Sequence, residues 1–160
     1  MKTNAVRILD KLGVTYRLLA YEVDPDNLEA ESIAAKIALP PTQVFKTLVA
    51  RGDRAGIYLA VIPANTQLDL KALARLAGDR KTETVPLKQV QPLTGYIRGG
   101  VTALAAKKDY PVFVDQRIQQ FEQVAVSAGK RGLMIQLAPA AYIEAVKATV
   151  GAIAHEKSDD

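Results

Sequence analysis

Between Val44 and Ala50 the chain alternates. Val44, Lys46, Leu48 and Ala50 fall on one face of an extended strand, and Phe45, Thr47 and Val49 on the other. The polar stretch Arg51-Gly52-Asp53-Arg54-Ala55-Gly56 reads as a turn, and Ile57 to Ile62 beyond it is apolar on both faces. The pair predicts a hairpin at the centre of a sheet, its second strand covered from both sides. Lys46 stands where the pattern asks for another aliphatic side chain. An unpaired buried ammonium is costly. Lys46 is therefore paired, neutralised or open to a pocket, or else it runs its stem along an exposed edge and keeps its charge in water. The pattern leaves these alternatives open.

Helical periodicity surrounds the hairpin. Asn4 to Leu12 carries Ala5, Ile8, Leu9 and Leu12 on one face, with Thr3 or Asn4 as N-cap and Gly13 as terminator. Val14 to Glu22 reads as a strand. Leu28 to Ala38 reads as a helix, with Asp26 and Glu29 as a capping box and Pro40-Pro41 as its stop. Asp69 to Ala77, closed by Gly78, is a third helix. Thr82 to Val85 reads as a short strand and Pro86 to Val90 as a helical turn. Thr94 to Val101 reads as a strand interrupted by Gly99 and Gly100, which mark a bulge or a close backbone approach by a ligand. Strands are expected over 111–115, 124–127 and 133–137, a short helix over 116–121, and a last helix from Pro139 to Ala154 with a polar, frayed tail from His155. Short strands with interspersed helices give an α+β class.

At 160 residues, 49% of them hydrophobic, the chain suits a single domain with a sizeable core, drawn as 1–155 with a polar tail 156–160. No apolar run is long enough to span a bilayer, and no signal-peptide segment is expected. The absence of Cys removes disulfides and protein thiolate chemistry, and it suits the cytoplasm. With His155 as the only histidine, neither a Ser-His-Asp nor a Cys-His machine can be assembled, nor a transition-metal site built on His or Cys. Ser127-Ala128-Gly129-Lys130 lacks the first glycine of a phosphate-binding loop, and no G-x-G-x-x-G is present. Charge is uneven: residues 51–131 hold thirteen basic and seven acidic side chains out of a chain total of +4. Such an excess suits a phosphate-bearing partner or is a solvated basic surface. The turn Gly129-Lys130-Arg131-Gly132 has the same two readings. What remains for chemistry is Lys46, the glycine pair, Ser127 and several tyrosines. Glycine amides with Lys46 could surround a polarised carbonyl or ester without any histidine.

Five segments in order carry a resemblance. They are Tyr21-Glu22-x-Asp24-Pro25, Gln43-Val44-Phe45-Lys46-Thr47-Leu48, Gln67-Leu68-Asp69-Leu70-Lys71, Gly95-Tyr96-x-x-Gly99-Gly100, and Val126-Ser127-x-Gly129-Lys130-Arg131-Gly132-Leu133. The series resembles the YbaK/EbsC family of aminoacyl-tRNA deacylases, which is similar to the editing domain inserted in bacterial prolyl-tRNA synthetases. It runs from about Ala5 to the last helix. The resemblance implies a compact, barrel-like, mixed but mostly antiparallel sheet with flanking helices. It also implies hydrolytic clearing of mischarged tRNA, best known as cysteine on proline tRNA.

By motif, Lys46 matches the essential family lysine, which holds the substrate at the terminal adenosine and aminoacyl ester. Tyr21, Thr47, Gly99 and Ser127 match family pocket positions, with Gly100 expected beside them and Lys130 and Arg131 expected on the tRNA. In cysteine-specific members the substrate's own thiol attacks its ester carbonyl, so no protein nucleophile, cofactor or metal is implied. Met134 stands where a well-known member carries an acidic residue. The expected partner is aminoacyl-tRNA, with prolyl-tRNA synthetase a further candidate and no membrane. The alternatives are a deacylase of the same fold for another amino acid such as alanine, or a non-catalytic module that binds RNA or a synthetase.

Overall fold

The computed structural model describes residues 2–54 and 56–157. The predicted hairpin is its backbone: β2 (Phe45–Gly52) pairs antiparallel with β3 (Ile57–Pro63), Lys46 lying opposite Ile62 and Thr47 opposite Val61. Every residue of β3 is buried, because both of its faces carry apolar side chains. Leu59 and Val61 enter one core with Phe45, Val49 and the helix α1 (Asn4–Lys11) residues Ala5, Val6 and Leu9. Tyr58, Ala60 and Ile62 enter a second core with Leu73 and Phe113 on the opposite face. Each large side chain so buried contributes roughly 1.5–3 kcal/mol.

The hairpin lies inside a five-stranded sheet. Beside β2 runs the short β5 (Thr82–Thr84), and beside β3 run β6 (Val112–Asp115) and then β9 (Thr149–Gly151), both parallel. A second sheet orders β1 (Tyr16–Ala20), β8 (Leu133–Leu137) and β7 (Val124–Ser127), all antiparallel. A bridge between Val44 and Ala125 joins this sheet to the first. A third pairs β4 (Thr66–Leu68) with β10 (Ala154–Glu156). Among the described residues the strand pairings are mostly antiparallel, as expected, and the three sheets stay open instead of closing into one barrel.

The helices α2 (Ala30–Lys36), α3 (Leu70–Ala77), α4 (Leu87–Thr94) and α5 (Pro139–Val146) flank these sheets. Thr3 caps α1 through a bond from the Val6 amide, and Asp69 caps α3 through one from Ala72. Gly78 ends α3 at φ +72°, a left-handed conformation that costs glycine little.

Four sequence expectations are corrected. The capping box at Asp26 and Glu29 is absent: Asp24 and Asn27 accept the local amides instead, and α2 starts at Ala30 with no side-chain cap. The helical turn expected over 86–90 runs on to Thr94 and carries Pro92 inside it. Residues 94–101 are not a strand: α4 ends at Gly95 (φ +84°), and a loop follows. The Thr94 hydroxyl donates to the Val90 carbonyl and accepts the Tyr96 amide, locking that exit. The last helix stops at Val146, where Lys147 turns left-handed at φ +54°. Instead of continuing it, the chain lays β9 on the sheet edge and β10 on β4, so His155 and Glu156 are paired strand and not frayed tail. The buried Asp115 carboxylate fixes this return, accepting the Ile153 and Ala154 amides at 3.0 Å each. Residues 158–160 of the expected tail lie outside the described residues.

Candidate active site

β5 pairs β2 only over Ala50–Gly52, and the last bond on that side runs from the Val85 amide to the Val49 carbonyl. Backbone groups along a strand point alternately to its two sides. The Val49 carbonyl points away from β3, so the N–H and C=O of Thr47 do so as well. Toward Lys46 that edge of β2 faces a cavity of about 470 Å³, which all residues from Val44 to Val49 line. Lys46 reaches it from the half-buried part of the strand. Its Nζ donates to the Ala64 carbonyl at 3.1 Å, and the Ala64 amide in turn bonds the Val44 carbonyl at 2.7 Å. Burial holds the Lys46 pKa below the usual lysine value; the neighbouring Lys157 lowers it further, and Glu31 and Glu29 work the other way. Of the alternatives open in the sequence, the structure selects a lysine that is both partly paired and open to a pocket.

Thr47 turns its side chain to the opposite face of β2. There it meets the wholly buried Tyr142 hydroxyl, whose pKa is raised by burial and moderated by Thr47.

The facing wall is made of two loops. Gly99 lines the cavity at φ +87°. Gly100 lies behind it: a Cβ there would stand 3.0 Å from the Lys130 Cα and 3.2 Å from the Arg131 amide. The close approach that the glycine pair signals is thus to the 129–132 turn. The Arg131 Nε donates to the Arg98 carbonyl at 2.9 Å, and the Tyr96 hydroxyl donates its one proton toward the Leu104 carbonyl at 2.6 Å, with the Ala105 carbonyl 2.9 Å away. Ser127 closes this side; its Oγ accepts the Gly129 amide at 3.2 Å, which leaves its O–H as a donor.

The cavity brings together Lys46, Thr47, Gly99 and Ser127. Tyr21 is not among its lining residues: it packs against the cluster that holds Ile33 and Met134, with the Lys36 ammonium 6.0 Å above its ring. Lys130 is exposed and Arg131 half-buried, outside the lining. Met134 is buried in the lining beside Ile33 and Val44, an apolar wall where a carboxylate would be desolvated. Carboxylates enter instead from the start of α2, at Glu29 and Glu31. Sequence reasoning missed these two, Arg98 and above all Lys157, which ion-pairs with Glu31 across the cavity mouth. No local pattern announces Lys157, because β10 brings it there through a long-range pairing. Among the described residues no cluster of His, Cys, Asp or Glu could hold a metal ion.

Fold and cavity together define an α+β domain with a half-buried lysine in a cavity beside an open stretch of strand edge. The profile of the aminoacyl-tRNA editing domain matches residues 24–145, and the chain belongs to that family. A protein of Enterococcus faecalis, provisionally named Cys-tRNA(Pro)/Cys-tRNA(Cys) deacylase EbsC, is 42% identical over 142 residues, covering 89% of this chain and 87% of its own. Two solved structures share the fold. One, described as the hypothetical protein APE2540, has a TM-score of 0.87 at 24% identity and covers 96% of this chain and 100% of its own. The other, provisionally described as a trans-editing enzyme for prolyl-tRNA synthetase, has a TM-score of 0.78 at 21% identity and covers 99% of both chains. No helix among the described residues is long and apolar enough to cross a membrane.

Proposed function

We propose that the protein is a cytoplasmic aminoacyl-tRNA deacylase acting in trans, with cysteine on proline tRNA as its substrate. The observation that carries this reading is the position of Lys46. It is a lysine held at lowered pKa beside an unpaired stretch of strand edge, in a cavity whose facing wall includes the Gly99 backbone and Ser127. The relationship to EbsC supports the substrate.

The terminal adenosine and its ester enter between β2 and the 95–100 loop. Lys46 and the Thr47 amide face the ester, where an ammonium and a fixed N–H stabilise the oxyanion that develops as the carbonyl is attacked. The substrate thiol attacks its own carbonyl carbon, a C–S bond forms, and the ester C–O bond breaks. The ribose oxygen leaves with the proton the thiol gives up, and water later opens the cyclic thioester to cysteine. Holding thiol and carbonyl together is the contribution of the cavity walls. Ser127 donates its hydroxyl to the bound ester, while Tyr21 and Gly100 support the lining from behind. Lys130 and Arg131 meet the RNA backbone outside the cavity. Prolyl-tRNA synthetase is the partner that would deliver the mischarged RNA. The reading needs no cofactor.

A second reading, clearance of alanine, rests on Met134, because an apolar side chain in the lining suits a methyl group as well as a thiol. Proline tRNA charged separately with cysteine, serine and alanine separates the two. Loss of the cysteine ester with survival of the serine and alanine esters supports the first; rapid loss of the alanine ester moves the assignment to the second. Survival of all three, with RNA still bound, leaves a non-catalytic binding module.

A further inference from the structure

Lys46 borders a second recess, of about 500 Å³, that shares Lys46, Leu48, Thr84 and Lys157 with the first cavity and continues past Gln67 and His155. The two differ in charge. The first cavity sets Glu29 and Glu31 against its cations, whereas among the described residues no carboxylate lines the second. Strand alternation explains the difference. His155 and Lys157 fall on one face of β10 and its continuation, and Glu156 on the other, where it meets the Arg117 guanidinium at 3.4 Å. The Asp115 carboxylate holds this strand in place, and β4 supplies Thr66, Gln67 and Leu68 as the floor. Lys157 therefore stands at the junction of an ester-sized cavity and a groove whose charged side chains, among the described residues, are Lys46 and Lys157. Its partner there, Glu31, forms a partly exposed ion pair of the kind that contributes little and exchanges readily.

Resting on the deacylase reading, we propose that the second recess receives the phosphodiester that precedes the terminal adenosine, with Lys157 as its ligand. On binding, Lys157 leaves Glu31 for a phosphate oxygen. A polymer whose 3′ ester lies at Lys46 can leave by a recess that adjoins Lys46, and among the described residues this recess sets no carboxylate against its two lysines. A latch that merely closes the mouth would need both members of the ion pair. A phosphate site needs Lys157 and is held back by Glu31.

The test uses cysteinyl and alanyl esters of adenosine and of the dinucleotide CpA, and reads the ratio of kcat/KM for CpA to that for adenosine. Lys157→Gln should lower that ratio about tenfold and lower the salt slope by about 0.7, the share of one phosphate contact on a single strand. Lys157→Arg should keep most of the ratio, and Glu31→Gln should raise it. Equal losses in Lys157→Gln and Glu31→Gln with the ratio unchanged overturn the proposal in favour of a latch, while the deacylase reading stands. Failure of the wild-type protein to cleave any of the esters removes that reading and the proposal together.

Discussion

One wall of the cavity is a strand and the other is a pair of loops. β2 holds Lys46 by register, with β3 beside it and packed cores on both faces of the sheet. In the loop wall the 129–132 turn is held by the β7–β8 ladder, whereas the 95–100 loop rests on that turn through Gly100 and through single bonds such as Arg131 to Arg98. The strand wall therefore positions a charge, and the loop wall supplies shape and backbone. A side-chain change at Lys46 should alter chemistry more than stability. Changes behind the loops should do the reverse.

The largest structural effect is expected at neither wall but at the anchor of β10. Asp115→Ala leaves the Ile153 and Ala154 amides without their buried acceptor, which should cost about 3 kcal/mol of unfolding free energy and withdraw Lys157 from the site. Denaturant titration checks the first effect. Gly100→Val presses a branched side chain into the Lys130 backbone and should cost ~2 kcal/mol, with a several-fold loss of deacylation as the wall shifts. Unchanged stability in this variant would show that the loops part freely. Ser127→Ala should cost about 1 kcal/mol in substrate binding with little change in kcat, read from KM on the cysteine ester.

The smallest effect is a titration. Burial, then Lys157, hold the Lys46 pKa below its ordinary 10.5, so the folded protein releases that proton before the unfolded chain does. Between the lowered pKa and 10.5 the unfolded chain binds more protons, so this lysine's contribution to stability rises with pH across that window. Lys157→Gln should move the pKa back up and Glu31→Gln further down, as followed by NMR of labelled lysine. A Lys46 that titrates at 10.5 in the wild-type protein would contradict the desolvated site.

The same contrast decides what could be read from sequence. The β2–β3 hairpin was legible because a period of two over 44–50 and an unbroken apolar run over 57–62 have a simple burial solution. The strands over 124–127 and 133–137 were legible for the same reason. The 129–132 turn was legible, but the 95–101 loop reads as a strand because Tyr96, Ile97 and Val101 favour extended backbone locally, whereas Gly95 and Thr94 fix a helix exit through bonds visible only in three dimensions. Within 139–154 the apolar composition suggested one helix. A left-handed Lys147 and the free edge of β6 divide it instead, and that edge lies over thirty residues away. Lys46 was conspicuous as a charge inside an apolar pattern; Lys157, a charge in a polar stretch, was not.

Single-turnover deacylation of cysteine-charged proline tRNA by Lys46→Ala, beside wild type and Lys46→Arg, tests the role of the strand wall most directly. The account predicts that Lys46→Ala unfolds at nearly the wild-type denaturant concentration and loses on the order of 10²–10³ in rate, the scale of one lost electrostatic contact to a developing oxyanion. Lys46→Arg should recover only part of this, because a planar guanidinium does not fit the place of a compact ammonium. A folded Lys46→Ala protein that clears the ester at the wild-type rate would contradict it.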